Sequence, residues 1–448
     1  MAKQYDLAII GTGTAAMVAA MRIRAAGWNI AVIDQRPFGG TCALRGCDPK
    51  KMLISGCSAV DHAQRMHGKG VDGNVHINWA DLMAFKRAFT DPIPEQYEQL
   101  YRDQGIATYH GLARFTGRNS LKVDGKVLEA RYILIASGAE PVKLSIPGEE
   151  YIITNEEFLA LPSLPHRIVL VGGGYIAAEF SHIAARAGAT VTILHRGKRM
   201  LKHFDADVVG WLMEKFRTLG IEVRLETTVE AVEKMDSGYR VCARAGPQLL
   251  ALEADIVVHA AGRVPAVESL NLAAAEVATE KGRLKLNEYL QSISNPSVYA
   301  AGDAAQVGPA LTPVSSHDAK VVAANLLRGN HQKPNYSGVP SVAFTIPPIA
   351  TVGLTEAAAR ERGLKYRLKS QKASDWFTAI QAAEPTYGFK VLVEENSNLI
   401  LGAHLVGPHV DEVINLFALA IRQRLTGEQL KETIFAYPTG ASDVGYMV

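Results

Sequence analysis

Two stretches of this chain share one pattern: residues 5–34 read YDLAIIGTGTAAMVAAMRIRAAGWNIAVID, and residues 167–196 read RIVLVGGGYIAAEFSHIAARAGATVTILHR. Each runs from a short apolar segment through a glycine-rich turn into an alanine-rich segment, and ends in a second apolar segment. This order is typical of a strand, a helix and a second parallel strand, the unit that binds dinucleotides. The repeat therefore predicts an α/β fold with two Rossmann-like dinucleotide-binding domains.

The first glycine-rich turn has the spacing of a nucleotide-binding loop. Gly11, Gly13 and Ala16 are the small residues that allow a tight turn, close approach of a pyrophosphate, and close packing of helix on strand. Asp34 follows 21 positions after Gly13, at the end of the next apolar segment. A carboxylate at that position can accept hydrogen bonds from the ribose hydroxyls.

The second turn repeats these positions with Gly172, Gly174 and Ala177. Here the residue 21 positions after the second glycine is His195, and a carboxylate is missing. Arg196 and Lys202 place positive charge nearby, and a guanidinium group suits a phosphate. We therefore predict a preference for NADPH over NADH, with a solvated basic turn as the alternative.

Composition and charge exclude several classes of protein. The net charge of the 448 residues is +2 without blocks of like charge, which argues against broad binding of nucleic acid or membrane lipid. The four cysteines are too few for a disulfide scaffold and suggest a reducing compartment. A secretory signal and an apolar stretch of roughly 18 residues are both missing. The sequence predicts a cytoplasmic protein.

Two cysteines lie close together in residues 39–51, which read GGTCALRGCDPKK. In a regular helix Cys42 and Cys47 would be separated by about 7.5 Å along the axis, too far for a disulfide, but Gly46 could relax the turn. They could be a redox pair, two reduced structural thiols, or half of a metal site. Neighbouring ligands that would complete a tetrahedral metal site are missing, so no metal is predicted.

The residue after the pair, Asp48, has two interpretations. If its carboxylate approaches the thiols, it raises the cysteine pKa, and Arg45 could offset that effect. Otherwise it is a solvent-facing acid at a helix start. The other two cysteines, Cys57 and Cys242, are expected to be packed as small hydrophobic residues.

The motif around Cys42 and Cys47 resembles the redox-active motif of the class I pyridine nucleotide-disulfide oxidoreductases, the family of glutathione reductase, dihydrolipoamide dehydrogenase and mercuric reductase. Further similar segments follow in the family's order over essentially the whole chain: ASGAEP at 136–141, AAGRVPA at 260–266, YAAGDAA at 299–305, TIPPIATVGLTE at 345–356 and ILGAHLVGP at 400–408. The resemblance implies an FAD-binding domain over 1–147 and 264–335, an NAD(P)H-binding domain over 148–263, and an α+β dimerisation domain over 336–448.

The resemblance also implies roles for single residues. Cys42 would attack the substrate, Cys47 would lie on the flavin, and Lys50 and Glu179 would pair where hydride arrives. Tyr175 would cover the flavin until the nicotinamide displaces it, and Asp303 would hold the ribityl chain. The remaining cofactor positions carried over are Gly40, Thr41, Ser137, Gly138, Gly302 and Thr312 for FAD, and Gly262 for the nicotinamide nucleotide.

The C-terminal acid–base pair of the family is missing. Tyr437 stands where a histidine is expected and Ser442 where a glutamate is expected, and a phenol with a pKa of about 10 exchanges protons poorly at pH 7. Asp443 is a possible substitute. Mercuric reductases share a tyrosine here and an Ala-Ala-Met run like Ala15–Met17, but they carry a C-terminal vicinal cysteine pair that residues 438–448 lack.

The sequence thus predicts a homodimeric FAD enzyme that passes electrons from NADPH through the Cys42–Cys47 pair to a small-molecule acceptor, first of all a small disulfide. In the dimer of this family Tyr437 would face the partner's Cys42. A metal reductase like mercuric reductase, a quinone reductase, and a non-enzymatic redox-sensing flavoprotein are the alternatives.

Overall fold

The computed structural model describes residues 3–448, and its secondary structure alternates between strands and helices along the chain. The strands are β1 Lys3–Ile10, β2 Ile30–Asp34, β3 Ala107–His110, β4 Arg114–Gly117, β5 Ser120–Val123, β6 Lys126–Ile135, β7 Ala139–Pro141, β8 Ile152–Ile153, β9 Arg167–Val171, β10 Thr190–Leu194, β11 Glu222–Arg224, β12 Thr227–Lys234, β13 Tyr239–Ala245, β14 Gln248–Ala254, β15 Ile256–His259, β16 Arg263–Pro265, β17 Thr279–Glu280, β18 Arg283–Leu284, β19 Val298–Ala300, β20 Ser341–Ala343, β21 Ile349–Gly353, β22 Tyr366–Lys372, β23 Gly388–Glu394 and β24 Ile400–Val406.

The α-helices vary from single turns to five turns. They are α1 Thr14–Arg24, α2 Gly40–Arg45, α3 Cys47–Arg65, α4 Trp79–Thr90, α5 Ile93–Asp103, α6 Asn155–Phe158, α7 Tyr175–Arg186, α8 Ala206–Thr218, α9 Thr312–Arg328, α10 Glu356–Glu361, α11 Phe377–Gln381, α12 Val410–Gln423, α13 Gly427–Glu432 and α14 Val444–Met447. None of the helices within residues 3–448 is long and apolar enough to cross a membrane.

The chain divides into two compact units. The first comprises residues 1–50, 85–142 and 263–336. Its main sheet has the order β3-β2-β1-β6-β5-β4, with β19 on the other side of β6. The pairs β3–β2, β2–β1, β1–β6 and β6–β19 are parallel, whereas β6–β5 and β5–β4 are antiparallel. Helices α1 and α9 pack against this sheet in one apolar cluster that includes Ala16, Ile23 and Val322.

The second unit comprises residues 51–84, 143–262 and 337–448 and contains three main sheets. A parallel sheet with the order β11-β10-β9-β15-β8 has the second glycine-rich turn between β9 and α7. A three-stranded antiparallel sheet, β12-β13-β14, follows it in the chain. The C-terminal part is an antiparallel sheet, β20-β21-β24-β23-β22, with α12 packed on it.

The fold prediction is confirmed, since two parallel-sheet Rossmann-like regions precede an α+β C-terminal region. Both repeated stretches form the predicted strand, helix and strand, because their glycines make the turn and their apolar segments are buried at the centre of each sheet. Helices α3, α4 and α5 follow one another between residues 47 and 103. The chain then enters strand β3, which extends the first sheet next to β2.

Candidate active site

A break between two helices positions the cysteine pair. Helix α2 ends at Gly46, whose φ of −145° and ψ of −112° interrupt the helical path, and Cys47 is the first residue of α3. The 7.5 Å rise expected for a regular helix does not apply, and the two thiols are close enough to hydrogen-bond. A Cβ atom at position 46 would lie 2.9 Å from the Thr41 carbonyl oxygen, so the break requires glycine.

The hydroxyl group of Thr312 contacts both cysteine sulfur atoms. Its Oγ1 donates to Cys42 Sγ at 3.1 Å and lies 3.4 Å from Cys47 Sγ. Thr312 is the first residue of α9 and is about 270 positions away from the cysteines in sequence. The hydrogen bond with Cys47 and burial raise the pKa of Cys42, and the hydroxyl of Thr312 opposes that increase.

The first glycine-rich turn and the start of α2 approach each other closely. A Cβ atom at Gly40, where φ is +71°, would lie 2.3 Å from Gly13 Cα. At Gly11, with φ +111°, it would lie 2.3 Å from the Ala136 carbonyl oxygen. These close contacts leave no space for side chains at either glycine. The exposed backbone beside the start of α1 is therefore suited to bind a pyrophosphate.

At the end of β2, Asp34 binds the turn that precedes α1. Its Oδ2 accepts hydrogen bonds from Thr12 N at 3.0 Å and Thr12 Oγ1 at 2.7 Å, and its Oδ1 accepts from Arg36 N. The carboxylate is therefore fixed at the edge of the turn, where the sequence predicts a ribose.

Two further polar groups of the first unit are withdrawn from water, and one of them has no hydrogen-bond partner. Among residues 3–448 the buried Oγ of Ser137 makes no hydrogen bond, and Gly138 after it has φ +74° with open space around it. Burial raises the pKa of Asp303, and the positive charge of Arg263 opposes this. An orphaned hydroxyl and a desolvated carboxyl beside a backbone cradle fit a bound FAD.

Asp318 is a residue of this site that the sequence analysis missed. It is buried in α9, and its carboxylate accepts hydrogen bonds from Gly302 N at 3.1 Å and Tyr336 OH at 2.8 Å. Burial raises its pKa to about 6. It thereby fixes the turn that carries Asp303. An acid in the largely apolar stretch that ends in VVAANLL at 321–327 was the available signal.

The second glycine-rich turn lies in the second unit. Gly172 has φ +132°, and a Cβ there would lie 2.0 Å from the Ala260 carbonyl oxygen, whereas a Cβ at Gly174 would meet nothing within 4 Å. Ala177 is fully buried in α7 and Gly262 follows β15 with φ +116°. The turn is thus open over its second glycine, as a nucleotide requires.

The side chains that follow the second glycine-rich turn differ in packing, hydrogen bonding and exposure. The ring of Tyr175 packs on Phe204 with 5.5 Å between centroids, and Glu179 Oε1 accepts a hydrogen bond from Phe344 N at 2.9 Å. Arg196 and Lys202 are exposed. Burial and these two cations lower the pKa of His195, against a hydrogen bond that the ring donates to the Arg199 backbone, and this favours the neutral imidazole.

The remaining predicted residues are not brought together within one unit. Lys50 is buried in the first unit and Glu179 is buried in the second, so their pairing stays a prediction. Tyr437 is 81% exposed. Asp443, considered as a substitute acid, is engaged by Thr378 Oγ1 and Tyr387 OH, both 2.7 Å from its Oδ2.

Comparison with known proteins identifies the family. Residues 5–319 match the pyridine nucleotide-disulphide oxidoreductase family, and residues 339–448 match the dimerisation domain of that family. The chain is a pyridine nucleotide-disulphide oxidoreductase. Members of this family use FAD and NAD(P)H, so the predictions of the family, the cofactors and an oxidoreductase activity are confirmed.

Relatives of this oxidoreductase differ in the acceptors that their names state. A glutathione reductase of Burkholderia cepacia is 32% identical over 98% of this chain and 97% of its own length. A mercuric reductase of Staphylococcus aureus is 33% identical over 98% of this chain and 80% of its own. The solved structure of RclA, an HOCl-induced flavoprotein disulfide reductase from Escherichia coli, superimposes with a TM-score of 0.88 at 26% identity and covers 99% of each chain.

Proposed function

We propose that this oxidoreductase uses NADPH to reduce a small disulfide through Cys42 and Cys47. The observation that carries the proposal is the Thr312 hydroxyl, which lies 3.1 Å from one sulfur and 3.4 Å from the other. A single donor shared by two adjacent thiols stabilises whichever sulfur is the thiolate as the pair changes redox state. FAD held beside Gly13, Gly40 and Ser137 would supply the hydride and two-electron chemistry that links the nicotinamide to the cysteine pair.

The cofactor residues are proposed in two groups. FAD would be held in the first unit by Gly11, Gly13, Ala16, Asp34, Gly40, Thr41, Ser137, Gly138, Gly302, Asp303 and Thr312. NADPH would be held in the second unit by Gly172, Gly174, Tyr175, Ala177, Arg196, Lys202 and Gly262. The close approach of Gly13 to Gly40 and the unpartnered hydroxyl of Ser137 support the first group, and the open turn over Gly174 supports the second.

The test is NADPH oxidation with glutathione disulfide at pH 7, corrected for the rate with oxygen alone. We expect turnover well above background in the parent enzyme and none in Cys42→Ser. Cys57→Ser is the matched control, because Cys57 is buried in α3, where its thiol donates a hydrogen bond to the Ile183 carbonyl oxygen. Background rates in the parent, or full activity in Cys42→Ser, would contradict the proposal.

The preference for NADPH is proposed from the exposed cations Arg196 and Lys202 beside a neutral His195. We expect Arg196→Ala with Lys202→Ala to lower kcat/KM for NADPH at least tenfold and to leave the value for NADH nearly unchanged. Lys234→Ala, which removes an exposed cation on β12, should alter neither value. Equal kcat/KM for both nucleotides in the parent would refute the preference.

A second acceptor class is a thiophilic metal ion. The observation that favours it is Tyr437, which occupies the histidine position of disulfide reductases, together with relatives that are named mercuric reductases. A metal ion bound by two thiolates takes electrons without protonation of a leaving thiolate. Stimulation of NADPH oxidation by such an ion but not by a disulfide, abolished in Cys42→Ser, would establish this class instead.

The dimerisation domain supports a homodimer, and we propose that Tyr437 of the partner subunit faces Cys42. Its 81% exposure leaves the ring accessible for such a contact. We also propose that the enzyme is cytoplasmic, where a reducing environment keeps its thiols available.

A further inference from the structure

The loop that carries the proposed phosphate-binding cations alternates between exposed and buried residues. It covers residues 195–205, between the end of β10 and the start of α8. Arg196 and Lys202 are exposed, whereas Leu201 is 3% and Phe204 1% exposed. The positions of the two cations therefore depend on how the buried residues of the same loop are held.

The middle of this loop is bound to the second glycine-rich turn. Leu201 N donates a hydrogen bond to the Gly173 carbonyl oxygen at 2.7 Å, and Phe204 N donates to the Leu201 carbonyl oxygen at 2.8 Å. Leu201 has a φ of +48°, which is uncommon for a residue with a side chain and is kept only where surrounding contacts hold it. The ring of Phe204 packs on Tyr175, the first residue of α7. A displacement of this part of the loop would therefore disturb the turn itself.

The last residue of the loop is Asp205, which is 4% exposed and caps helix α8. Its Oδ1 accepts a hydrogen bond from Asp207 N at 3.0 Å, and its Oδ2 lies 3.3 Å from Nζ of Lys390. One carboxylate oxygen thus begins the helix, and the other faces a cation. Both oxygens together fix the point at which the loop ends.

The cation that faces Asp205 comes from the C-terminal sheet. Lys390 lies on β23, a strand whose residues are almost all buried. A buried ammonium group is stable only where carboxylates compensate for its lost hydration. Glu356 Oε2 and Asp207 Oδ2 both lie 2.6 Å from Nζ, so the ammonium group is held between α10 and the start of α8.

We propose that Lys390 is a positioning residue of the nicotinamide-nucleotide site. Its ammonium group holds Asp205, and Asp205 fixes the end of the loop that carries Arg196 and Lys202. The 2′-phosphate that distinguishes NADPH from NADH would meet these two cations, so a displaced loop weakens the binding of NADPH more than that of NADH. The inference rests on the proposed preference for NADPH and extends the nucleotide site to a residue of the C-terminal sheet.

The test is reduction of the flavin by NADPH and by NADH in the FAD-loaded enzyme, measured in single turnovers without a disulfide. The dependence of the rate on nucleotide concentration gives a Kd for each nucleotide. In Lys390→Met we expect the Kd for NADPH to rise roughly fivefold or more and the Kd for NADH less than about twofold. The limiting rate at saturating nucleotide should stay close to the parental value. Lys390→Arg keeps the cation and should keep the parental Kd values.

Lys372→Met is the matched control. Lys372 lies on β22, which pairs with β23, and its Nζ is 2.7 Å from Glu214 of the same helix α8. Both of these side chains are exposed, and neither contacts the loop end at Asp205 through this pair. This variant should therefore leave both Kd values unchanged.

A second variant tests the same contact if Lys390→Met does not fold. Asp205→Asn keeps an oxygen that can cap α8, but it places an amide nitrogen opposite the ammonium group of Lys390. We expect the Kd for NADPH to rise roughly threefold or more, again with a smaller change for NADH.

The outcomes separate this inference from the proposed function. A folded Lys390→Met or Asp205→Asn with the parental Kd for NADPH would overturn the role of Lys390 and leave the proposed function standing. Equal increases for the two nucleotides would also overturn it, because the loss would not pass through the phosphate-binding cations. A parent enzyme whose flavin binds NADH and NADPH equally well would overturn the proposed nucleotide preference itself, and this inference with it.

Discussion

At the scale of single residues, one hydroxyl group links the two sulfurs of the active site. The sequence places Thr312 in a turn predicted to contact the flavin, but the structure places its Oγ1 3.1 Å from Cys42 Sγ. A donor at that distance stabilises the thiolate form relative to the thiol. Thr312 therefore lowers the pKa of Cys42 against the effects of Cys47 and burial.

We expect Thr312→Val to slow alkylation of Cys42 at pH 7 by about three- to tenfold, because a lost hydrogen bond to a thiolate costs on the order of 1 kcal/mol. The measurement is the pH dependence of iodoacetamide labelling after NADPH reduction, whose midpoint should move to higher pH. Thr312→Ser keeps the hydroxyl and should label at nearly the parental rate. A midpoint unchanged in Thr312→Val would show that the hydroxyl does not act on the thiolate.

At the scale of elements, the start of α2 is fitted to the first glycine-rich turn. Gly40 needs both a positive φ and the absence of a side chain, since its Cβ would lie 2.3 Å from Gly13 Cα. A side chain there would move α2 away from the turn, and with it Cys42.

Gly40→Ala should therefore lose bound FAD during purification and show little NADPH oxidation. Gly68→Ala is the matched control, because Gly68 has the same φ of +71° but open space around it. It should keep full flavin content, measured from the absorbance ratio of flavin to protein. Full flavin content in Gly40→Ala would contradict the expected clash.

A second contact between elements, within the second unit, joins helix α8 to the C-terminal sheet. Lys390 on β23 is 3% exposed, and its Nζ lies 2.6 Å from Asp207, 2.6 Å from Glu356 and 3.3 Å from Asp205. Burial alone would lower the pKa of this lysine, but the carboxylates raise it overall. The lysine therefore remains charged.

We expect Lys390→Met to reduce the free energy of unfolding by about 3 kcal/mol, because it leaves the buried carboxylate of Asp205 and the half-buried carboxylate of Glu356 without this cation. The comparison is Lys372→Met, which removes an exposed lysine paired with Glu214 and should cost less than about 1 kcal/mol. Thermal unfolding of both variants measures the difference. Equal melting temperatures would refute the importance of this contact.

At the scale of the whole molecule, the C-terminal region exposes apolar side chains that a monomer would leave in water. Ile434 is 98% exposed, Tyr437 81% and Phe377 56%. A cavity of about 590 Å³, lined by Phe377, Leu416 and Pro438 among others, lies in this region. Exposed apolar surface of this kind is typical of a subunit interface.

We expect sedimentation to show a dimer, and Ile434→Asp to shift it towards monomer with loss of disulfide reduction. Leu249→Asp places the same charge at an exposed leucine on β14 and should leave the dimer intact. A parent enzyme that is monomeric and fully active would contradict both the dimer and the role of Tyr437 across it.

The sequence determined the family, from motifs in a fixed order along the chain, and it located the two glycine-rich turns and the neighbouring cysteines, because each of these motifs lies within about 30 positions of sequence. Glycine spacing, apolar segments and a short cysteine motif are local properties that persist in the fold. It also suggested how Gly46 would bring two cysteines together despite their spacing.

Only the tertiary structure decided which side chains complete these motifs. Thr312 reaches Cys42 across 270 positions of sequence, Asp318 holds the turn at Gly302, and Lys390 reaches Asp207 across 183 positions. The sequence left Asp48 open between an acid that approaches the thiols and a solvent-facing acid at a helix start, and in the structure it is half-buried in the first turn of α3. Such contacts depend on how helices and strands pack in three dimensions, and local sequence patterns do not encode the distances that result.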